Sequence, residues 1–157
     1  MMAANAAEGE PAMRHRVRIA LPLLSAALLG ACAGVPAKPA DPLAGSAWRL
    51  ERIEYMDDTT VTPDGARRYG IAFDAEGNVS IQADCNTLGG RYTYTPPSGL
   101  EFGMLRSTLA FCGEGSLYDR IRKDMPYVRS FVLKDGQLHV ALMADGGIYR
   151  FSPAPKP

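Results

Sequence analysis

The chain predicts a small, mostly β (α+β) domain: an antiparallel sheet with one inserted helix, closed into a barrel. Three observations carry that fold class. From Gly45 onward, β-favouring residues recur in short runs separated by closely spaced turn signals, the pattern of antiparallel strands. One stretch, Glu114 to Tyr127, changes period to a four-residue apolar repeat, which marks a helical face. The 157-residue length, with no long apolar run in the body, suits one core, and closing the sheet on itself removes its exposed edges.

Residues 1–31 read as an N-terminal extension followed by a lipoprotein signal peptide. Met13-Arg14-His15-Arg16-Val17-Arg18 supplies the positive region, and an apolar core runs from Ile19 to Leu29. Those eleven residues fall short of the roughly 20 that a spanning helix needs, so the segment reads as a removed signal. The acidic stretch before Met13 does not belong to a positive region, which makes Met13 a candidate start. Leu29-Gly30-Ala31-Cys32 has the form of a bacterial lipobox, with Cys32 the acceptor of a diacylglyceryl group; the rival reading is an ordinary cleavage site with an incidental thiol. Residues 32–42 form the acylated cysteine and a Pro/Ala-rich spacer, 43–152 the folded domain, and 153–157 a C-terminal tail. The predicted location is the cell envelope: an outer-membrane lipoprotein facing the periplasm, since no aspartate follows Cys32.

Within the domain, Trp48, Leu50 and Arg52 share one face of the first run. Tyr69, Ile71 and Phe73 alternate in the second, Asp74–Asn78 turns the chain, and Val79, Ile81 and Ala83 alternate in the third. Tyr92 and Tyr94 face one way, Pro96-Pro97-Ser98-Gly99 interrupts, and Leu100–Leu105 resumes the sheet. Leu117, Ile121 and Met125 line the helix, with Ser116 a predicted N-cap, Asp119 in the acidic place of a capping box, and Pro126 ending the helix at Met125. Asp135-Gly136 signals a tight hairpin, and a last turn and strand close the body.

The chemistry-bearing residues are sparse. Lysine and arginine balance aspartate and glutamate at 17 each, so nothing recommends a nucleic-acid partner. His139 is the one histidine outside the signal, and alternation puts it opposite Leu138, Val140 and Leu142 on a solvated face. No zinc ligand set, nucleophile elbow or phosphate loop is present. Asp57 and Asp58, and Asp74 and Glu76, read as loop carboxylates, and Arg120, Arg122 and Lys123 as a solvated helix face. The expectation is no enzyme, no catalytic residues, no metal and no cofactor. Tyr92, Tyr94, Phe102 and Phe111 are assigned to core packing over a ligand pocket.

Export would make Cys85 and Cys112 an even pair in an oxidising compartment, and a disulfide is the natural reading. Buried free thiols are the rival.

Trp48, Leu50, Phe73, Gly77, Cys85-Asn86, Gly90, Tyr92, Thr108 and Cys112, in that order, make the chain resemble the META domain family in its HslJ-like heat-shock lipoprotein branch. Glycine is common in that family where Ile81 and Asp84 stand, and Met-Ala where Ala110-Phe111 stand. The resemblance implies a barrel of lipocalin-like topology, no established catalytic residues, and a place in the envelope linked to heat shock or drug tolerance. The expected partners are the membrane, through the lipid anchor, and an envelope protein. The expected function is a non-enzymatic, lipid-anchored stress-tolerance protein acting by binding. The alternatives are a periplasmic inhibitor of a lysozyme or protease, using the loop 54–68, or a small-ligand carrier with an open cavity.

Overall fold

The computed structural model describes residues 39–144 and 146–155; the signal segment, Cys32 and the spacer up to residue 38 lie outside the described residues. The barrel runs β1 (Ser46–Glu54), β2 (Thr60–Val61), β3 (Tyr69–Phe73), β4 (Asn78–Ala83), β5 (Asn86–Thr95), β6 (Gly99–Phe102), β7 (Arg106–Ser107), α1 (Tyr118–Asp124), a 3-10 turn (Met125–Tyr127), β8 (Val128–Lys134), β9 (Gln137–Leu142) and β10 (Ile148–Pro153). Neighbours pair antiparallel in the order β1, β3, β4, β5, β6, β8, β9, β10, and β10 returns to β1, which closes an eight-stranded ring with β2 and β7 as short additions. The mostly β fold with a single short helix is as expected. The thinnest seam is β6 to β8, where Gly99 opposite Ser130 is the ladder pair and the Phe131 N–H donates to the Ser98 carbonyl at 2.9 Å.

Alternation fills the interior where it is regular. Tyr69, Ile71 and Phe73 on β3 and Val79, Ile81 and Ala83 on β4 are all buried, as a period of two requires when one face meets the core. On β1 the period slips. Leu50 and Ile53 are both buried, and the register against β10 shifts between Leu50 and Arg52. The extra residue of this bulge turns Arg52 outward, opposite Arg150, and both guanidinium groups donate to the Glu54 carboxylate at 2.6 Å. The expectation that Arg52 shares the Leu50 face is thereby corrected.

The helix acts as a plug. Ile121 and Met125 are 2 % exposed, and with Leu50, Tyr69, Ile71, Ile81, Tyr149 and Phe151 they leave an internal void of only about 10 Å³. That is at the lower limit for a single water, so among the described residues this part of the barrel interior is filled by side chains rather than open to a small ligand. Asp124 latches the plug: its Oδ2 accepts from the hydroxyls of Tyr55 and Tyr149, each at 2.7 Å. Burial, then Asp124, pushes the Tyr149 phenol pKa well up and keeps it a donor.

The helix ends differ from expectation. Leu117 takes the N-cap position without a side-chain cap, its N–H spent on the Tyr69 hydroxyl at 3.0 Å; Ser116 Oγ accepts from Tyr118 N–H at 3.3 Å instead. Asp119 lies exposed in the first turn near Arg122. The α-helix does end at Met125, its C-cap, as expected, but Met125 keeps helical dihedrals because it opens the 3-10 turn and Pro126 lies in that turn's first positions, where its missing N–H costs nothing. Phe111, expected in the core, is 91 % exposed.

Strand directions sort the loops into two ends. At the entry end lie residues 39–45, the Asp74–Asn78 turn, the Pro96–Ser98 turn, Asp135-Gly136 and Ala154. At the far end lie the loop from Tyr55 to Arg68, the Asp84-Cys85 hairpin, the segment 108–117 and α1.

Candidate functional site

The far end is organised by the tight β4–β5 hairpin. Ala83 pairs with Asn86, so Asp84 and Cys85 are its two turn residues, and Asp84 adopts φ 60°. A left-handed conformation explains why glycine suits this position, and aspartate is among the few side chains that tolerate it. The hairpin points Cys85 across to Cys112, and the structure joins them in a disulfide with Cα atoms 5.5 Å apart.

Next to the bridge, Asn86 is, among the described residues, the one fully buried polar side chain, 0 % exposed. Its Nδ2 donates to the Ala110 carbonyl at 2.8 Å and to Cys112 Sγ at 3.2 Å. Its Oδ1 accepts from Ala110 N–H at 2.8 Å and Thr108 Oγ1 at 2.9 Å. Thr108 also pairs with Thr87: its N–H donates to the Thr87 carbonyl, and its Oγ1 accepts from Thr87 N–H. Residues 108–112 thus continue β7 alongside the start of β5, with the Asn86 carboxamide standing in for a strand's peptide group. Tyr118 OH secures the Thr108 carbonyl at 2.9 Å.

Arg67 closes the other side. Its Nη1 donates to the Asp84 carboxylate and to the Cys112 carbonyl, its Nη2 to the Glu114 carbonyl at 2.7 Å, and its Nε to Asp64. The Asp84 hydrogen bond pushes the guanidinium pKa further up. The loop 54–68, nominated from sequence as a protruding inhibitor loop, therefore sends Arg67 back as a brace for 112–114.

What the bracing exposes is apolar. Leu109 is 80 % and Phe111 91 % exposed on either side of the anchored Ala110. Sequence reasoning missed Leu109 as a surface residue and misplaced Phe111. The available signal was their place in a turn-free segment between Thr108 and Cys112, too short to be a core strand.

Of the expected motif residues, Cys85, Asn86, Thr108 and Cys112 meet here. The others are spread through the barrel. Phe73 packs edge-on against Tyr92 with centroids 4.9 Å apart, and Tyr92 OH donates to Asp41 at 2.7 Å, fixing the entry segment. Trp48 Nε1 donates to Ser46 Oγ, Leu50 is in the core, and Gly77 turns the chain at φ 84°. Gly90 lies under the 103–105 crossing, where a Cβ would stand 2.7 Å from the Met104 carbonyl oxygen.

The remaining candidates build structure. The Thr59 side chain, then the Thr59 N–H that Asp57 accepts at 2.9 Å, lowers the Asp57 pKa, and Asp58 turns at φ 63°. His139 contacts Arg150 Nη1 through Nδ1 at 3.0 Å on the outer face. Among the described residues, no group of three or more histidine, cysteine, aspartate or glutamate side chains is placed to hold a metal, and no helix is long and apolar enough to cross a membrane.

Two solved structures share the fold. One is the NMR structure of a protein from Burkholderia xenovorans, with TM-score 0.60 and 16 % identity, covering 76 % of this chain and 99 % of that one. The other is the crystal structure of a DUF4847 family protein from Bacteroides vulgatus ATCC 8482, with TM-score 0.51 and 11 % identity, covering 74 % of this chain and 96 % of that one. No curated protein matches the chain significantly. At these identities the two structures speak to the fold, while the META domain family model matches residues 41–156, the whole barrel. With the ordered motif, the disulfide and the closed barrel in place, the chain belongs to the META domain family.

Proposed function

We propose that this protein is a non-enzymatic, lipid-anchored binding domain of the cell envelope. It is tethered through Cys32 to the outer membrane, faces the periplasm, and supports tolerance of heat or drug stress by engaging an envelope protein through the segment 108–115. The observation that supports it best is the pinned loop: a disulfide, a buried carboxamide and an arginine brace hold Leu109 and Phe111 in solvent. Two large apolar side chains kept out of the core raise the solvation cost of the free protein, and a partner's pocket would remove that cost. The side chains that fill the barrel interior around Ile121 and Met125 add weight to a reading in which the surface does the binding.

From Cys32 to Pro39 the chain spans at most ~25 Å fully extended. Membrane flotation of the full chain tests the anchor: the wild type is expected with the membranes and Cys32→Ser in the soluble periplasmic fraction. A wild type that stays soluble sinks the anchoring reading. A Leu109→Ser/Phe111→Ser pair should remove any heat or drug tolerance the wild type confers, with the anchor intact.

A further inference from the structure

The two halves of the Cys85–Cys112 bridge stand in different surroundings. Cys85 occupies the turn of the β4–β5 hairpin and is exposed, whereas Cys112 is half-buried and packs against the core. A thiol arriving from solvent therefore meets Cys85 first. The polar neighbours differ as well. Asn86 Nδ2 donates to Cys112 Sγ at 3.2 Å, while among the described residues no hydrogen-bond donor is directed at Cys85 Sγ. A donor aimed at a sulfur stabilises the thiolate that forms there, and a less basic thiolate departs faster in exchange. Access favours attack on Cys85, and hydrogen bonding favours departure of Cys112. Opening the bridge also leaves other ties in place. The Asn86 carboxamide still holds Ala110, Thr87 still pairs with Thr108, and Arg67 still donates to the Cys112 and Glu114 carbonyls. The β4–β5 ladder, from Asn78 opposite Arg91 to Ala83 opposite Asn86, does not depend on the sulfurs.

We infer that Cys85 is a thiol-exchange site of the folded protein, at which a small thiol is taken up as a mixed disulfide. The incoming thiol loses its proton to solvent, and its thiolate forms a new bond to Cys85 Sγ. The Cys85–Cys112 bond breaks, and its electron pair leaves on Cys112 Sγ, where the Asn86 donor meets it. Solvent then returns a proton to Cys112, whose sulfur lies 3.7 Å from the Ala110 carbonyl oxygen as a potential acceptor. One disulfide is exchanged for another, so the step is redox-neutral and needs no further reactant. Attack in the opposite sense would bring the thiolate to the half-buried sulfur and leave the charge on the sulfur without a donor. The bridge is on this reading a removable pin for the segment 108–112, and the barrel outlasts its opening.

The test uses the full-length Cys32→Ser chain, in which Cys85 and Cys112 are the only cysteines. It is incubated with reduced glutathione under folding conditions, quenched in acid, and mapped by mass spectrometry. Glutathione on Cys85 with a free Cys112 is expected in about tenfold excess over the reverse pair, at a rate proportional to glutathione concentration. Ile121→Ala weakens the barrel from inside without touching the bridge, and should leave that rate within about twofold, since exchange does not pass through global unfolding. Asn86→Ala removes the donor at the leaving sulfur and should slow exchange roughly fivefold. No adduct, an adduct mainly on Cys112, or a rate independent of glutathione concentration overturns the inference. So does a rate that Asn86→Ala leaves unchanged, or that either variant raises. If a variant fails to fold, the site of the adduct and the concentration dependence in the Cys32→Ser chain decide without it.

Discussion

Asn86 uses both of its amide hydrogens and both acceptor positions of its carbonyl inside the protein, on Ala110, Cys112 and Thr108. A buried carboxamide is costly unless satisfied, and here satisfaction is complete. Truncation leaves the Ala110 N–H and carbonyl without partners, so Asn86→Ala is expected to lower stability by about 3 kcal/mol, read as a shift of the urea midpoint. Amide exchange at Ala110 should quicken well beyond that of the β3–β4 core. The neighbouring bridge, with sequence separation 27, contributes about 3.5 kcal/mol on the loop-entropy model. The two devices differ in kind: the disulfide restricts the unfolded chain, whereas Asn86 sets the conformation of the folded loop. The motif's Cys85-Asn86 dipeptide was legible in the sequence. What Asn86 grips was not, because Ala110 is 24 residues away and its groups are those of the backbone, which every residue carries.

At the scale of elements, the helix is the piece that makes a small barrel solid. Its apolar face was readable from the spacing of Leu117, Ile121 and Met125, and the latter two are buried as that spacing requires. Its ends were less so: tertiary groups, the Tyr69 hydroxyl at the start and the Asp124 latch at the end, took over from local capping rules. Ile121→Ala should cost about 2–5 kcal/mol, measured by chemical denaturation. Because the residue reaches the barrel interior, the loss should spread to slowed-exchange amides on β3 and β10. Fraying confined to α1 would show that the plug is an independent lid. On β1, the bulge after Leu50 could not be read from alternation, since an inserted residue changes which face each later side chain takes without changing composition.

For the molecule as a whole, the outer face carries a charge ladder that makes stability depend on pH. Burial, then Arg150, holds the His139 pKa below its usual 6.5, with Arg52 and Lys134 acting in the same direction and Glu54 opposing them. As the pH falls through 6.5 the unfolded chain therefore binds this proton before the folded one does, and stability declines until the folded pKa is passed. Urea midpoints should fall between pH 7.5 and pH 5.5, and His139→Gln should flatten that slope. Carboxylates act lower down. Arg52 and then Arg150 lower the Glu54 pKa, and the Asn78 side chain and backbone lower that of Asp74. Their contribution is present above pH ~4 and is lost as the pH drops through the folded values.

The sequence by itself determined the strand and helix periods, the turn at Asp135-Gly136 and the family, because each depends on residues close together or on an ordered local pattern; it offered Cys85 and Cys112 as a candidate pair, and the structure joined them. Only the tertiary structure decided that the barrel is filled, that Arg67 braces a distant loop, and that Leu109 and Phe111 stand in solvent. Those outcomes depend on which surfaces closure brings together. An apolar side chain in a connecting segment carries no local mark of whether the finished core has room for it.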